Sequence, residues 1–274
     1  MFQNLKIAAV SVALVVSAQP GQAASEVELD TLFDALGTGE LIEILRLEGL
    51  EQSDEMRESM FPQRANGWDR IVSSIYDTDR MEAEFREAFE AELIDSDVIP
   101  LLEFFGSELG EQIISLEIAA RKALLDDDVE EAAKDAFLSL PDRDEVRADA
   151  LAAFVETNDL IELNVAGALN ASLSFYRGLA DGGSFDLTEE VILQDVWAQE
   201  PDIRQETTEW ILPYLALAYE PLSENDLAAY QALSVSEAGK DLNRALFAGF
   251  DVVFNRISYS LGSAASRFMQ GDDI

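Results

Sequence analysis

Between residues 81 and 105 the large apolar side chains fall three and four residues apart. Met81, Phe85, Ala88 and Phe89 form one series, and after the polar stretch IDSD at 94–97 come Val98, Leu101, Leu102 and Phe105. That spacing lines one face of a helix. It recurs almost everywhere in the chain, whereas alternating runs rich in Val, Ile and Thr are scarce. An all-α fold is therefore predicted. Helix starts are expected where a capping residue stands three before an acid: Ser25 with Glu28, Asp142 with Glu145, Asp186 with Glu189 and Ser223 with Asp226.

The pattern also repeats over a long interval. FFGSELG at 104–110 and LSVSEAG at 233–239 share Ser-Glu-x-Gly at a shift of 129, pairing Ser107, Glu108 and Gly110 with Ser236, Glu237 and Gly239. The same shift places Trp210 on Met81, Tyr214 on Phe85, Leu222 on Leu93 and Tyr230 on Leu101. TGELIEI at 38–44 matches TNDLIEL at 157–163 at a shift of 119, so about ten extra residues fall between the markers in the second half, with GLADGGSFD as the candidate loop. Two tandem, divergent copies of a helical unit are expected, over 24–147 and 148–274, with the joint near Pro141. The unit is far longer than the roughly 20 to 50 residues of a solenoid repeat. Ser107 and Ser236 are expected to cap helices, with the following Glu placed well against the helix dipole and Gly allowing close packing.

Residues 1–23 have the layout of a secretory signal peptide: Lys6, an apolar run from Ile7 to Ala18, the helix breaker Pro20 and then small residues. The run is shorter than the roughly 20 residues that span a bilayer. Cleavage is expected after Ala23, which places the mature chain in the periplasm or outside the cell, with no integral membrane segment. The chain has no Cys, so burial rather than disulfides must stabilise it there. Its formal charge is −37, from 55 acids against 18 Lys and Arg, which disfavours nucleic acid and anionic membrane surfaces as partners.

Absence of both His and Cys removes Ser-His-Asp and Cys-His triads, zinc and copper sites built on imidazole or thiolate, and haem with its usual ligands. No cofactor and no metal are expected, and no catalytic residue is assigned. Lys240 stands four residues after Ser236, the spacing of a Ser-Lys pair, but the first copy has Glu111 at the equivalent place. The acidic triplets at 77–79, 95–97 and 126–128 invite a calcium loop. Starting at Asp77 the required Gly is Glu82, and starting at Asp95 it is Pro100, so the EF-hand pattern fails.

Two stretches depart from the acidic background. From Leu163 to Ala180 the one charged side chain is Arg177, and Gly167, Ala171, Ser174 and Gly178 place small residues on one face, suited to close helix packing. A candidate pocket there is lined by Asn164, Asn170, Tyr176 and Arg177. From Glu237 to Arg267 three acids face Lys240, Arg244, Arg256 and Arg267, a candidate interaction surface. Phe247, Phe250, Phe254, Ile257, Leu261 and Phe268 mark an apolar stripe with room for one long helix.

WILPYLALAYEPLSENDLAAYQALSVSEAGKDLNRALFAGF at 210–250 resembles the bacterial domain of unknown function 2059 family. Ser223, Asp226 and Leu227 match that family's helix start, and Ser236 and Gly239 match its end. Leu233 and Ser234 stand where the family has an aromatic pair, and Glu237 replaces the common Pro. The weaker copy near 81–121 keeps the aromatics as Phe104 and Phe105. The resemblance implies an exported, mostly helical protein and supplies no reaction or ligand. The expected function is non-enzymatic, binding a protein or small molecule in the cell envelope. Alternatives are a carboxylate-dependent hydrolase of envelope polymers and a carrier of an apolar small molecule. The sequence leaves the oligomeric state open.

Overall fold

A computed structural model describes residues 23–62, 67–183 and 188–270, and all regular structure among them is helical. The leader lies outside the described residues except for Ala23. The helices of the first part are α1 (Glu26–Ala35), α2 (Thr38–Met60), α3 (Trp68–Ile75), α4 (Thr78–Leu93), α5 (Ile99–Phe105) and α6 (Glu108–Ala123). Then come α7 (Asp127–Leu138), the single turn α8 (Leu140–Arg143) and α9 (Glu145–Thr157). The remainder comprises α10 (Leu160–Asp181), α11 (Glu189–Ala198), α12 (Glu200–Tyr219), α13 (Glu224–Ser234) and α14 (Glu237–Gln270).

Caps set most of these boundaries. Ser25 with Glu28 and Ser223 with Asp226 form reciprocal capping boxes, as the sequence predicts. The other two expected starts move. Asp142 lies inside α8, and Asp144 caps α9 by accepting from the Arg147 amide. Asp186 falls outside the described residues, and Thr188 caps α11. The Ser-Glu-x-Gly motifs have matching geometry. Ser107 Oγ accepts from Gly110 N at 3.1 Å and donates to Phe104 O at 2.6 Å; Ser236 Oγ accepts from Gly239 N at 3.0 Å and donates to Leu233 O at 2.6 Å. A Cβ on either glycine would sit 2.1 Å from the Phe104 or the Leu233 carbonyl oxygen. The TGELIEI and TNDLIEL segments match less closely in space. The left-handed residue is Gly37 just before the first motif, whereas in the second it is Asp159 inside the motif.

Two cores form. The first gathers α1 to α5 around Trp68, Phe85, Phe89 and Leu101, and it includes Leu242, Val253, Ile257, Leu261 and Phe268 from α14. The second is built on Ile113 and Ala120 of α6 with Leu151 and Phe154 of α9, Leu215 and Tyr219 of α12, and Leu227 of α13. Thus α14 packs along α4, and α6 along α12. Phe104 and Tyr230 stack at 5.7 Å where the two cores meet.

The most extensive packing joins α10 to α14, which run parallel: Asn170 bonds Asp251, Ser174 bonds Asn255, and Gly178 lies against Tyr259. The expected small-residue face of α10 serves this contact. A Cβ on Gly178 would lie 2.1 Å from Tyr259 O, and one on Gly262 would lie 2.1 Å from Phe175 O. The predicted long C-terminal helix is present as the 34 residues of α14. Its buried stripe runs through Leu242, Ala245, Gly249, Val253 and Ile257, so Phe254 is exposed rather than core.

Candidate functional site

The chain turns sharply twice between α7 and α9. Asp126 caps α7, and Asp127, Asp128 and Glu130 occupy its first turn, where the dipole favours them. Pro141 stands in the first turn of α8, a position that tolerates the missing amide hydrogen. Asp144 then restarts the helix as α9. These turns splay α7, α8 and α9 over α12 and leave a cavity of about 430 Å³. Its floor is apolar, made by Phe137, Leu140, Leu151, Ala216, Leu217 and Leu222, with Ala133 and Ala136 too small to fill it. Arg143, Arg147, Asp144, Glu220 and Glu224 supply its polar lining. Arg143 donates to Ala136 O at 3.0 Å and Ser139 O at 3.4 Å, and Arg147 donates to Tyr219 O at the end of α12. A volume of this size lies in the range of small-molecule sites, with apolar side chains joined here by two arginines and three carboxylates. Leu138 and Val146 add exposed apolar surface at the same corner of the fold, 75% and 64% accessible.

A second cavity, about 400 Å³, opens between α7, α10 and α12 and is lined by Glu130, Lys134, Asn164, Glu206, Glu209 and Trp210. It is acidic and shallowly set, and Lys134 is paired with Glu130, which raises the lysine's pKa. Of the four candidate pocket residues on α10, it includes Asn164 and none of the other three. Asn170 bonds Asp251 across the α10–α14 contact, and Arg177 pairs with Glu189 of α11. Tyr176 packs against the first core. Those four side chains spread over roughly 20 Å of helix, at 1.5 Å per residue, and do not converge.

The four cations of α14 also separate. Lys240 and Arg244 are exposed one turn apart, and Arg244 pairs with Asp241. At about 100° per residue, Arg256 and Arg267 point roughly half a turn away from them. Arg256 is internal: its Nε donates to Glu84 at 2.7 Å and its Nη1 to Ile75 O, while Nη2 is buried with no partner among the described residues. Burial works to raise the Glu84 carboxyl, but hydrogen bonds and charge from Arg80 and Arg256 outweigh it and hold the group below its ordinary value. Arg256 therefore fastens α14 to α4 rather than facing a partner.

One polar cluster escapes sequence reasoning. Glu117 of α6 points into the second core, where Tyr219 donates to its carboxylate at 2.6 Å, Tyr230 hydrogen-bonds the same group, and Tyr214 donates to its backbone carbonyl at 3.3 Å. Burial pushes the Glu117 carboxyl above the ordinary carboxylate range, and the tyrosine hydrogen bonds offset part of that rise. Burial also raises Tyr214, Tyr219 and Tyr230, and the Glu117 charge adds to it. One turn on, Arg121 forms a double hydrogen bond with Glu48 at 2.7 and 3.0 Å and lies over the Trp210 ring. The sequence signal is an acid at an apolar position, since Ile113, Glu117, Ala120 and Leu124 follow helical steps. Glu117 lines neither cavity, so its chemistry is that of a clasp between α6, α12 and α13. Among the described residues no group of three or more acids is placed to hold a metal ion, and no helix is long and apolar enough to cross a membrane. Comparison with family models, characterised proteins and solved structures returns no match for this chain.

Proposed function

We propose that the chain is an exported, non-enzymatic binding protein of the bacterial cell envelope that holds a small, largely apolar molecule between α7, α8, α9 and α12. The observation that carries this reading is the apolar cavity at the α8 corner, in a chain whose formal charge is −37. Export is supported by the layout of residues 1–23. Kinship with the domain of unknown function 2059 family is part of the same reading, carried by residues 210–250. So is descent from two copies, 24–147 and 148–274. The matching bonds of Ser107 and Ser236 support it, as does the reciprocal packing of α14 on α4 and α6 on α12.

The test is native mass spectrometry of the purified full chain, followed by titration with an environment-sensitive apolar dye. Ala136→Trp fills the cavity from an exposed position and is expected to abolish dye uptake with the fold intact by circular dichroism. Uptake that is unchanged in this variant counts against the groove as the site.

A further inference from the structure

Nine of the sixteen described cations form an ion pair. Arg57, Arg80, Arg86, Arg121, Lys134, Arg177, Arg204, Arg244 and Arg256 all pair within 4.0 Å. That is expected in a chain with 55 acids. Arg143 and Arg147 stand together on the rim of an apolar cavity and neither forms an ion pair among the described residues. Their hydrogen bonds go to backbone carbonyls, which leaves Arg143 Nη1 and Arg147 Nε and Nη1 without a protein acceptor among the described residues. Three carboxylates, of Asp144, Glu220 and Glu224, line the same groove, and none lies within 4.0 Å of either guanidinium as an ion pair. The Asp144 carboxylate caps α9, and Glu224 sits in the first turn of α13. Glu220 is exposed at the end of α12.

We infer that the ligand of this groove is a single-chain amphiphile with one negative charge, its chain on the floor from Phe137 to Leu222 and its head held by Arg143 and Arg147. The inference rests on the proposed binding role of the groove. Arg143 Nη1 and the Nε and Nη1 of Arg147 can each donate to an oxygen of the head, and such charge-assisted bonds exceed neutral ones in strength. The acidic field of the whole chain sets an upper limit on the head: each further negative charge is repelled, so a monoanion is favoured over a dianion. An apolar floor of this size takes an acyl chain rather than a flat polar ring.

The experiment is calorimetric titration of the full chain with dodecanoate, dodecanol and dodecyltrimethylammonium below their aggregation limits. Dodecanoate is expected to bind at least about tenfold more tightly than dodecanol, a ratio that charge-assisted hydrogen bonds supply. Arg143→Gln, at an exposed position, is expected to remove most of that advantage and adding Arg147→Gln to remove the rest, with dodecanoate binding falling more than dodecanol binding in each. Equal binding of dodecanoate and dodecanol, or tightest binding of the ammonium, overturns the charge assignment while the groove survives as a site. No binding of any of the three overturns the groove itself and the inference with it.

Discussion

Gly167 and Gly178 lie on the same face of α10, about three turns apart, yet alanine should act oppositely at the two. At Gly178 the new Cβ would stand 2.1 Å from Tyr259 O, 2.9 Å from Ser263 N and 3.0 Å from Tyr259 C. The obstacle is the backbone of α14, which cannot rotate aside. Restoring normal contact requires the helices to part by about 1 Å, a gap that forfeits up to half the dispersion energy of the atoms facing each other. Overpacking of this kind costs about 1–3 kcal/mol, and a backbone obstacle puts Gly178 at the upper end. The gain in helix propensity from Gly to Ala is about 1 kcal/mol. The net expectation is a loss of about 2 kcal/mol, or a fall in Tm of roughly 4–8 °C for a chain of this size. At Gly167 nothing lies within 4 Å of the added carbon. Gly167→Ala should therefore keep the propensity gain and raise Tm by roughly 2–4 °C. Differential scanning calorimetry of the two variants, with Gly262→Ala as a partner to Gly178→Ala, decides the matter. If Gly178→Ala proves as stable as Gly167→Ala, the close α10–α14 approach is wrong.

Removal of the Glu117 charge tests the tyrosine clasp. Because the folded-state pKa is raised, the stability contribution of Glu117 is fully present below its unfolded value, about 4.3, and is lost as pH rises through the folded value. The stability of Glu117→Gln relative to the parent should therefore rise with pH above that point in urea titrations, and a pH-independent difference would contradict it. Ser107→Ala and Ser236→Ala should each cost about 1 kcal/mol through the lost cap, with similar values because their bonds match. Glu84→Gln leaves the Arg256 guanidinium without its counter-charge and should cost about 1–3 kcal/mol in chemical denaturation. Adding Arg256→Met should restore part of that loss, and a double variant weaker than the sum of the singles would refute the pairing.

Helix class and most helix limits were legible because apolar spacing and caps are local. Met81, Phe85 and Phe89 announce α4, and Ser25 and Ser223 announce the starts of α1 and α13. The Asp142 start was misplaced because three acids, Asp142, Asp144 and Glu145, crowd one turn, and the backbone angles choose Asp144. Sites were less legible, since they depend on which face meets which neighbour. Arg256 reads as a surface cation in a list of charges, but α4 lies opposite it and supplies Glu84. The groove was hidden in the joint around Pro141, where the run AAKDAFLSLPDR carries Arg143 and two of the floor residues, Phe137 and Leu140. The remaining lining residues come from α9 and, far along the chain, from α12 and the start of α13, which no local spacing records.

The placement of α14 has a consequence for how the protein is made. The first core draws on residues 29 to 105 and then on Leu242 to Phe268, which leave the ribosome long afterwards. Until α14 arrives, the α4 face carrying Met81, Phe85 and Phe89 lacks its cover, and Gly249, whose backbone lies against the Phe85 ring, is absent. Contacts of such long sequence separation form late and slowly. The N-terminal half therefore stays open until the last helix docks, a state that invites chaperone capture.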